Sequence, residues 1–106
     1  MAGPAPPRGR IRTVTAYNSV PEQTDSTPCI AADGTNICRR AAAGEKICAA
    51  NWAPIGTRLR IQGWGTCTVA DRMNDRYPAR VDIFMDKDLT GAIRWGARRI
   101  RVEVIL

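Results

Sequence analysis

TRLRIQGWGTCTVAD, residues 57–71, decides the fold. In TRLRIQ, Leu59 and Ile61 point one way and Arg58 and Arg60 the other, which is the two-residue alternation of a half-buried strand. GWG (63–65) is a turn, and TCTVAD (66–71) reads as the next strand. Short strands continue on both sides. RIRTVTAY (10–17) is rich in β-branched residues, and KICAA (46–50) leads through Asn51, Trp52, Ala53 and Pro54 into the central pair. ARVDIFM (79–85) follows a polar loop, and RRIRVEVI (98–105) sets Ile100, Val102 and Val104 against Arg99, Arg101 and Glu103.

One helix is predicted. Asp86 or Asp88 can cap it, Leu89, Ala92 and Ile93 form its apolar stripe, and Gly96 ends it. Residues 1–9 are rich in Pro and Gly and are expected to be a disordered or tag-like tail. Residues 18–45 read as a long irregular region, a length that usually marks a functional or cross-linked loop. Six short strands, one helix and long crossing loops imply one mainly β domain over 10–106, built as a small closed barrel.

The 106 residues suffice for one modest core, and 44% hydrophobic with 25% charged residues is globular composition. No run approaches the ~18 apolar residues of a membrane span, and no signal peptide is read in the N-terminal residues. With no histidine and no CxxC spacing, neither a metal site nor a cofactor is expected. Cys29, Cys38, Cys48 and Cys67 are instead expected to form two disulfides, which implies an oxidising, extracytoplasmic setting. Of the three connectivities, Cys29–Cys38 closing a local loop and Cys48–Cys67 tying two strands is preferred. The net charge is +6, and fourteen of sixteen basic residues are arginine. These are spread along the chain without a basic arm or aromatic ladder, which disfavours nucleic acid and suits an anionic wall or lipid surface. A monomer is expected.

Three carboxylates lie in TVADRMNDRYPARVDIFM (68–85): Asp71, Asp75 and Asp82. Paired carboxylates serve glycosidic chemistry, one protonated to donate to the leaving oxygen and one ionised. Apolar walls raise a carboxyl pKa and a nearby arginine lowers it. Asp82 lies between Val81 and Ile83, whereas Asp71 precedes Arg72, so the pair offers one candidate acid and one candidate anion. Adjacent strands would bring them together. The same residues also read as ordinary surface charges. Among the tryptophans, Trp95 belongs to the helix and is expected in the core, while Trp64, between two glycines, could expose its ring to a sugar.

Taken together, VTAY (14–17), ADGT (32–35), AANWAPIGTRLRI (49–61), GWGTCTVADRMN (63–74), RVDIF (80–84) and AIRWGARRIRVEVI (92–105) resemble the three-aspartate (3D) domain. That domain is a double-psi β-barrel of bacterial wall-active proteins. The same barrel occurs in rare lipoprotein A-like and expansin-like proteins and in the membrane-bound lytic transglycosylase A family. The resemblance implies a six-stranded double-psi barrel with one short helix and a disulfide-pinned loop. It also implies Asp82 as catalytic acid/base and Asp71 as its support. Ala49-Ala50-Asn51-Trp52 stands where many members carry another aspartate, leaving Asp25 as the candidate third carboxylate. Tyr17, Trp64 and Arg72 are candidates to line the cleft. The expected activity is lytic cleavage of the MurNAc–GlcNAc β-1,4 bond of peptidoglycan by a secreted or envelope protein. The alternative is a non-catalytic, expansin-like carbohydrate-binding module.

Overall fold

A computed structural model describes residues 8–19 and 29–105. These residues form six strands: β1 (Arg10–Tyr17), β2 (Ile47–Ala49), β3 (Arg58–Ile61), β4 (Gly65–Asp71), β5 (Val81–Phe84) and β6 (Arg98–Ile105). They close into one barrel in the order β1-β5-β2-β4-β3-β6. The pairs β1·β5 and β2·β4 are parallel, and the others are antiparallel. Parallel neighbours cannot be joined by a tight turn. The long connections β1–β2 and β4–β5 supply the crossovers. Exchanging β1 with β4, β2 with β5 and β3 with β6 leaves every pairing unchanged, so the two halves of the chain interlock about a pseudo-two-fold axis.

Alternation sorts each strand between two surroundings. Val14, Leu59, Val69, Val81 and Ile83 are fully buried inside the barrel. The Cys48–Cys67 disulfide crosses this interior and ties β2 to β4, as the preferred connectivity had it. A second apolar cluster lies outside the barrel wall: Ile47, Ala70 and Phe84 of the strands meet Ala31 and Ile37 of the long connection, with Tyr17 packed beside them. The Cys29–Cys38 disulfide closes this covering segment, here called the roof.

Two helices are present among the described residues, one more than the sequence predicts. The unexpected one is α1 (Ile37–Ala42) within the roof, capped by the Asn36 side chain, which accepts from the Arg39 N–H. Six residues with Ile37 alone fully buried give too little periodicity to detect. The predicted helix is α2 (Leu89–Trp95), and Asp88 is the capping aspartate, accepting from the Gly91 N–H at 2.8 Å. Any side chain at 91 would strike that carboxylate, because a Cβ there would sit 2.1 Å from Asp88 Oδ2. Its buried side is Ala92 and Trp95, whereas Ile93, expected on the stripe, faces water at 71% exposure. Gly96 caps the C-terminus at φ 63°. The helix packs on β1, where Trp95 Nε1 donates to the Val14 carbonyl at 3.0 Å. Among the described residues no helix is long and apolar enough to cross a membrane. Most of the expected N-terminal tail, residues 1–7, lies outside the described residues, as does Asp25.

Candidate functional site

The outer face of β1-β5-β2-β4 carries the candidate carboxylates. Strand register sets four residues in one row: Thr15 pairs with Asp82, Asp82 with Ala49, and Ala49 with Asp71. Asp71 and Asp82 therefore stand on strands separated by β2, not on adjacent strands as expected. With ~4.8 Å between neighbouring strands, their Cα atoms are about 10 Å apart.

A β-bulge makes the row possible. Cys48 pairs with Val69 but Ala49 pairs with Asp71, leaving Ala70 as the extra residue of β4. Strict alternation from Val69 would turn Asp71 inward. Two residues opposing one place Ala70 and Asp71 on the same outer side. Ala70 accordingly joins the outer cluster, and Asp71 Oδ1 accepts from the roof through Ala32 N–H at 2.9 Å. The same oxygen accepts from Arg72 N–H at 2.9 Å. Asp71 thus anchors the roof to the barrel as well as adding charge to the row.

Asp82 has a different setting. Val81 and Ile83 enter the barrel, so Asp82 goes outward into the partly covered cluster. Among the described residues its hydrogen-bond partner is Thr15, whose Oγ1 donates to Oδ1 at 2.9 Å. Desolvation pushes the carboxyl up to about 6, the Thr15 bond opposes the shift, and the Asp71 charge adds to it. The guanidinium groups nearby in sequence are engaged elsewhere: Arg80 lies over the Tyr77 ring at 4.3 Å, and Arg72 Nη1 donates to the carbonyls of Ala50 and Ala53 at 2.6 and 2.5 Å.

Tyr17 completes the constellation. Its ring lies 5.1 Å from that of Phe84, and its hydroxyl is buried with no hydrogen-bond partner among the described residues. Burial, then the charges of Asp71 and Asp82, hold the phenol protonated well above its ordinary range. Beyond Tyr17, Ser19 ties the end of β1 to the end of β5, its hydroxyl donating to Asp86 Oδ1 at 3.0 Å.

The other candidates lie apart. Trp64 stands at the start of β4, about 20 Å from Asp71 at the ~3.4 Å rise of a strand. Its ring packs on the barrel core and carries the Lys46 ammonium 4.4 Å from its centroid. Trp52 carries Arg12 at 3.7 Å and Trp95 carries Arg98 at 3.9 Å, so each tryptophan has a cation on its ring. Arg72 braces the loop after β2. Asp75 is exposed. Asn51, near the position where the resembled family places an aspartate, accepts from Met73 N–H and donates to the Asn74 and Tyr77 carbonyls, fastening the 72–80 loop. Among the described residues no group of three or more His, Cys, Asp or Glu could hold a metal ion.

Thr15 was not singled out from the sequence, although a signal exists. It shares the outward parity of Tyr17 on β1, two residues away. The chemical capacity of the site is that of a carboxylic acid able to give up a proton near neutral pH, beside a second carboxylate and a phenolic donor that no described residue engages. Comparison with family models, curated proteins and solved structures finds no match for this chain.

Proposed function

We propose that the chain is a peptidoglycan-cleaving domain of the cell envelope, acting as a lytic transglycosylase on the MurNAc–GlcNAc β-1,4 bond. The sequence resemblance to three-aspartate domains and their double-psi relatives suggests the substrate. The observation that carries the chemistry is the Asp82 carboxyl, raised to about 6 by desolvation on an outer face of the barrel. A general acid works best with a pKa near the operating pH.

In this reading Asp82 gives its proton to the glycosidic oxygen as the C1–O bond breaks. The resulting carboxylate then takes the proton of the MurNAc 6-hydroxyl as that oxygen bonds to C1, closing the 1,6-anhydro ring and regenerating the acid. The Asp71 carboxylate, one intervening strand away, favours the positive charge that develops on the sugar. The Tyr17 hydroxyl offers a hydrogen bond to the bound glycan, and the net charge of +6 favours approach to an anionic wall. Two disulfides agree with an oxidising compartment.

A second reading, a non-catalytic expansin-like wall-binding module, is favoured by the two backbone N–H groups already engaging Asp71. Product analysis on purified sacculi separates the two. The catalytic reading expects anhydro-muropeptides from the wild type and at least about a 100-fold loss in Asp82→Asn, the scale of a removed general acid. Undiminished release by that variant excludes Asp82 as the acid. Retention on sacculi without release by the wild type selects the binding module.

A further inference from the structure

The chain enters β1 through RGRIR, with arginines at positions 8, 10 and 12. Strand alternation gives Arg10 and Arg12 the same parity as Val14, which is fully buried inside the barrel. The end of the barrel where β1 begins is therefore lined by guanidinium groups where an aliphatic layer would be expected. A cavity of about 370 Å³ opens there, walled by Arg8, Arg10, Arg12, Trp52, Val102 and Val104.

Arg12 is held in place before any ligand arrives. It stacks on Trp52 at 3.7 Å, and its Nη1 donates to the Ala79 carbonyl at 3.0 Å. Trp52 is fixed in turn by its Nε1 donating to the Arg80 carbonyl at 3.1 Å. Arg12 Nε is buried and has no hydrogen-bond partner among the described residues. Arg8 is brought to the rim by Gly9, whose φ is 77° and where a Cβ would sit 2.1 Å from the Val102 oxygen. Arg101 Nη1 donates to the carbonyls of Arg8 and Gly9 at 3.3 Å, fixing that approach.

Among the described residues the positive charge is not neutralised by ion pairing. Among the described residues Glu103 is the one carboxylate lining the cavity, and it pairs with Arg60 at 3.4 Å. Among the described residues Arg8, Arg10 and Arg12 make no ion pair. Burial and the Arg10 charge both disfavour the Arg12 cation and lower its pKa, the situation an incoming anion would relieve.

We propose that this mouth is a binding site for a phosphate monoester, separate from the Asp82 face. Three guanidinium groups suit a dianion with several acceptor oxygens better than a single carboxylate. The cavity is within the ~300–1,000 Å³ range of small-molecule sites and larger than a bare phosphate needs. Val102 and Val104 would lie against the carbon portion of the ester.

The test is an NMR titration that follows the Trp52 indole Nε1–H, with glycerol 1-phosphate, succinate and chloride compared at constant ionic strength. Glycerol 1-phosphate should shift that signal saturably and at lower concentration than succinate or chloride. Arg12→Gln should weaken the effect about tenfold, the loss of one charge-assisted hydrogen bond. Arg10→Gln should weaken it in the same direction, and because Arg10 is exposed this variant serves even if Arg12→Gln fails to fold. Asp82→Asn should leave the titration unchanged. The proposal is overturned by the absence of a saturable shift, by an equal response to succinate or chloride, or by full binding in Arg10→Gln.

Discussion

The inside of the barrel and the cluster under the roof are built by the same strands, yet they hold different chemistry. On β5, Val81 and Ile83 enter an interior ringed by paired strands, while Asp82 and Phe84 leave for the outer cluster. The interior can be sealed because every wall is a paired strand, and it holds aliphatic side chains and a disulfide. The outer cluster is covered by one short helix and a loop. It therefore shields Asp82 enough to raise its pKa without forcing it to be permanently neutral. Partial cover distinguishes a chemical site from a core: full burial would forbid the charge, and full exposure would leave an ordinary carboxylate.

The sharpest way to break this contrast is in the interior. Leu59→Ala should cost about 2–5 kcal/mol of stability, read as a lower denaturant midpoint, because a sealed barrel cannot collapse around the lost volume. A loss below 1 kcal/mol would mean that the interior is not close-packed.

The next effect has the opposite sign and belongs to the outer cluster. A carboxyl with a folded pKa of about 6, against an ordinary 3.8, binds more protons folded than unfolded between those values. Stability therefore falls as pH rises through that window, and the full penalty remains above it. Asp82→Asn, which can still accept the Thr15 bond, should be more stable than wild type above pH 7 by about 1–3 kcal/mol, with the gain fading toward pH 4. An Asn variant less stable at both ends would show that Asp82 is a structural anion.

The two disulfides provide a third comparison. Cys48 and Cys67 are 0% and 1% exposed, whereas Cys29 and Cys38 are partly open to solvent. Mild reductant followed by alkylation and mass spectrometry should label Cys29 and Cys38 first. Cys48 and Cys67 should react only as the barrel unfolds. Simultaneous labelling would mean that roof and barrel open as one unit.

The smallest expected effect probes the row itself. Removing the Asp71 charge lowers the Asp82 pKa, so Asp71→Asn should move the falling limb of any activity profile toward acid. At about 10 Å between Cα atoms the shift should be a fraction of a pH unit. A profile that stays in place would separate the two carboxylates, and a shift of several units would place them in direct contact.

Much of this was legible because it is local. Arg58 to Ile61 and Arg98 to Ile105 announce strands through alternation, and Val81-Asp82-Ile83 alone shows that the aspartate leaves the core. The helix cap, which the sequence narrowed to Asp86 or Asp88, and the glycine stop at Gly96 follow from backbone groups a few residues away. The helix α1 was not legible, since one turn and a half anchored by Ile37 produces no stripe.

By itself, the sequence determined which residues alternate into strands, where α2 runs and stops, and which aspartate leaves the core, and it favoured one cysteine pairing that the structure then showed. These depend on interactions within a few residues, or on a choice among three pairings. Only the tertiary structure decided that β2 lies between β4 and β5, that a bulge turns Asp71 to the Asp82 side, and that cations occupy the tryptophan rings. It also decided that arginines line one mouth of the barrel. The physical reason is that strand order around a closed barrel is set by crossovers and by packing on both faces at once. Partners such as Arg12 and Trp52, or Thr15 and Asp82, meet only after the ring has closed.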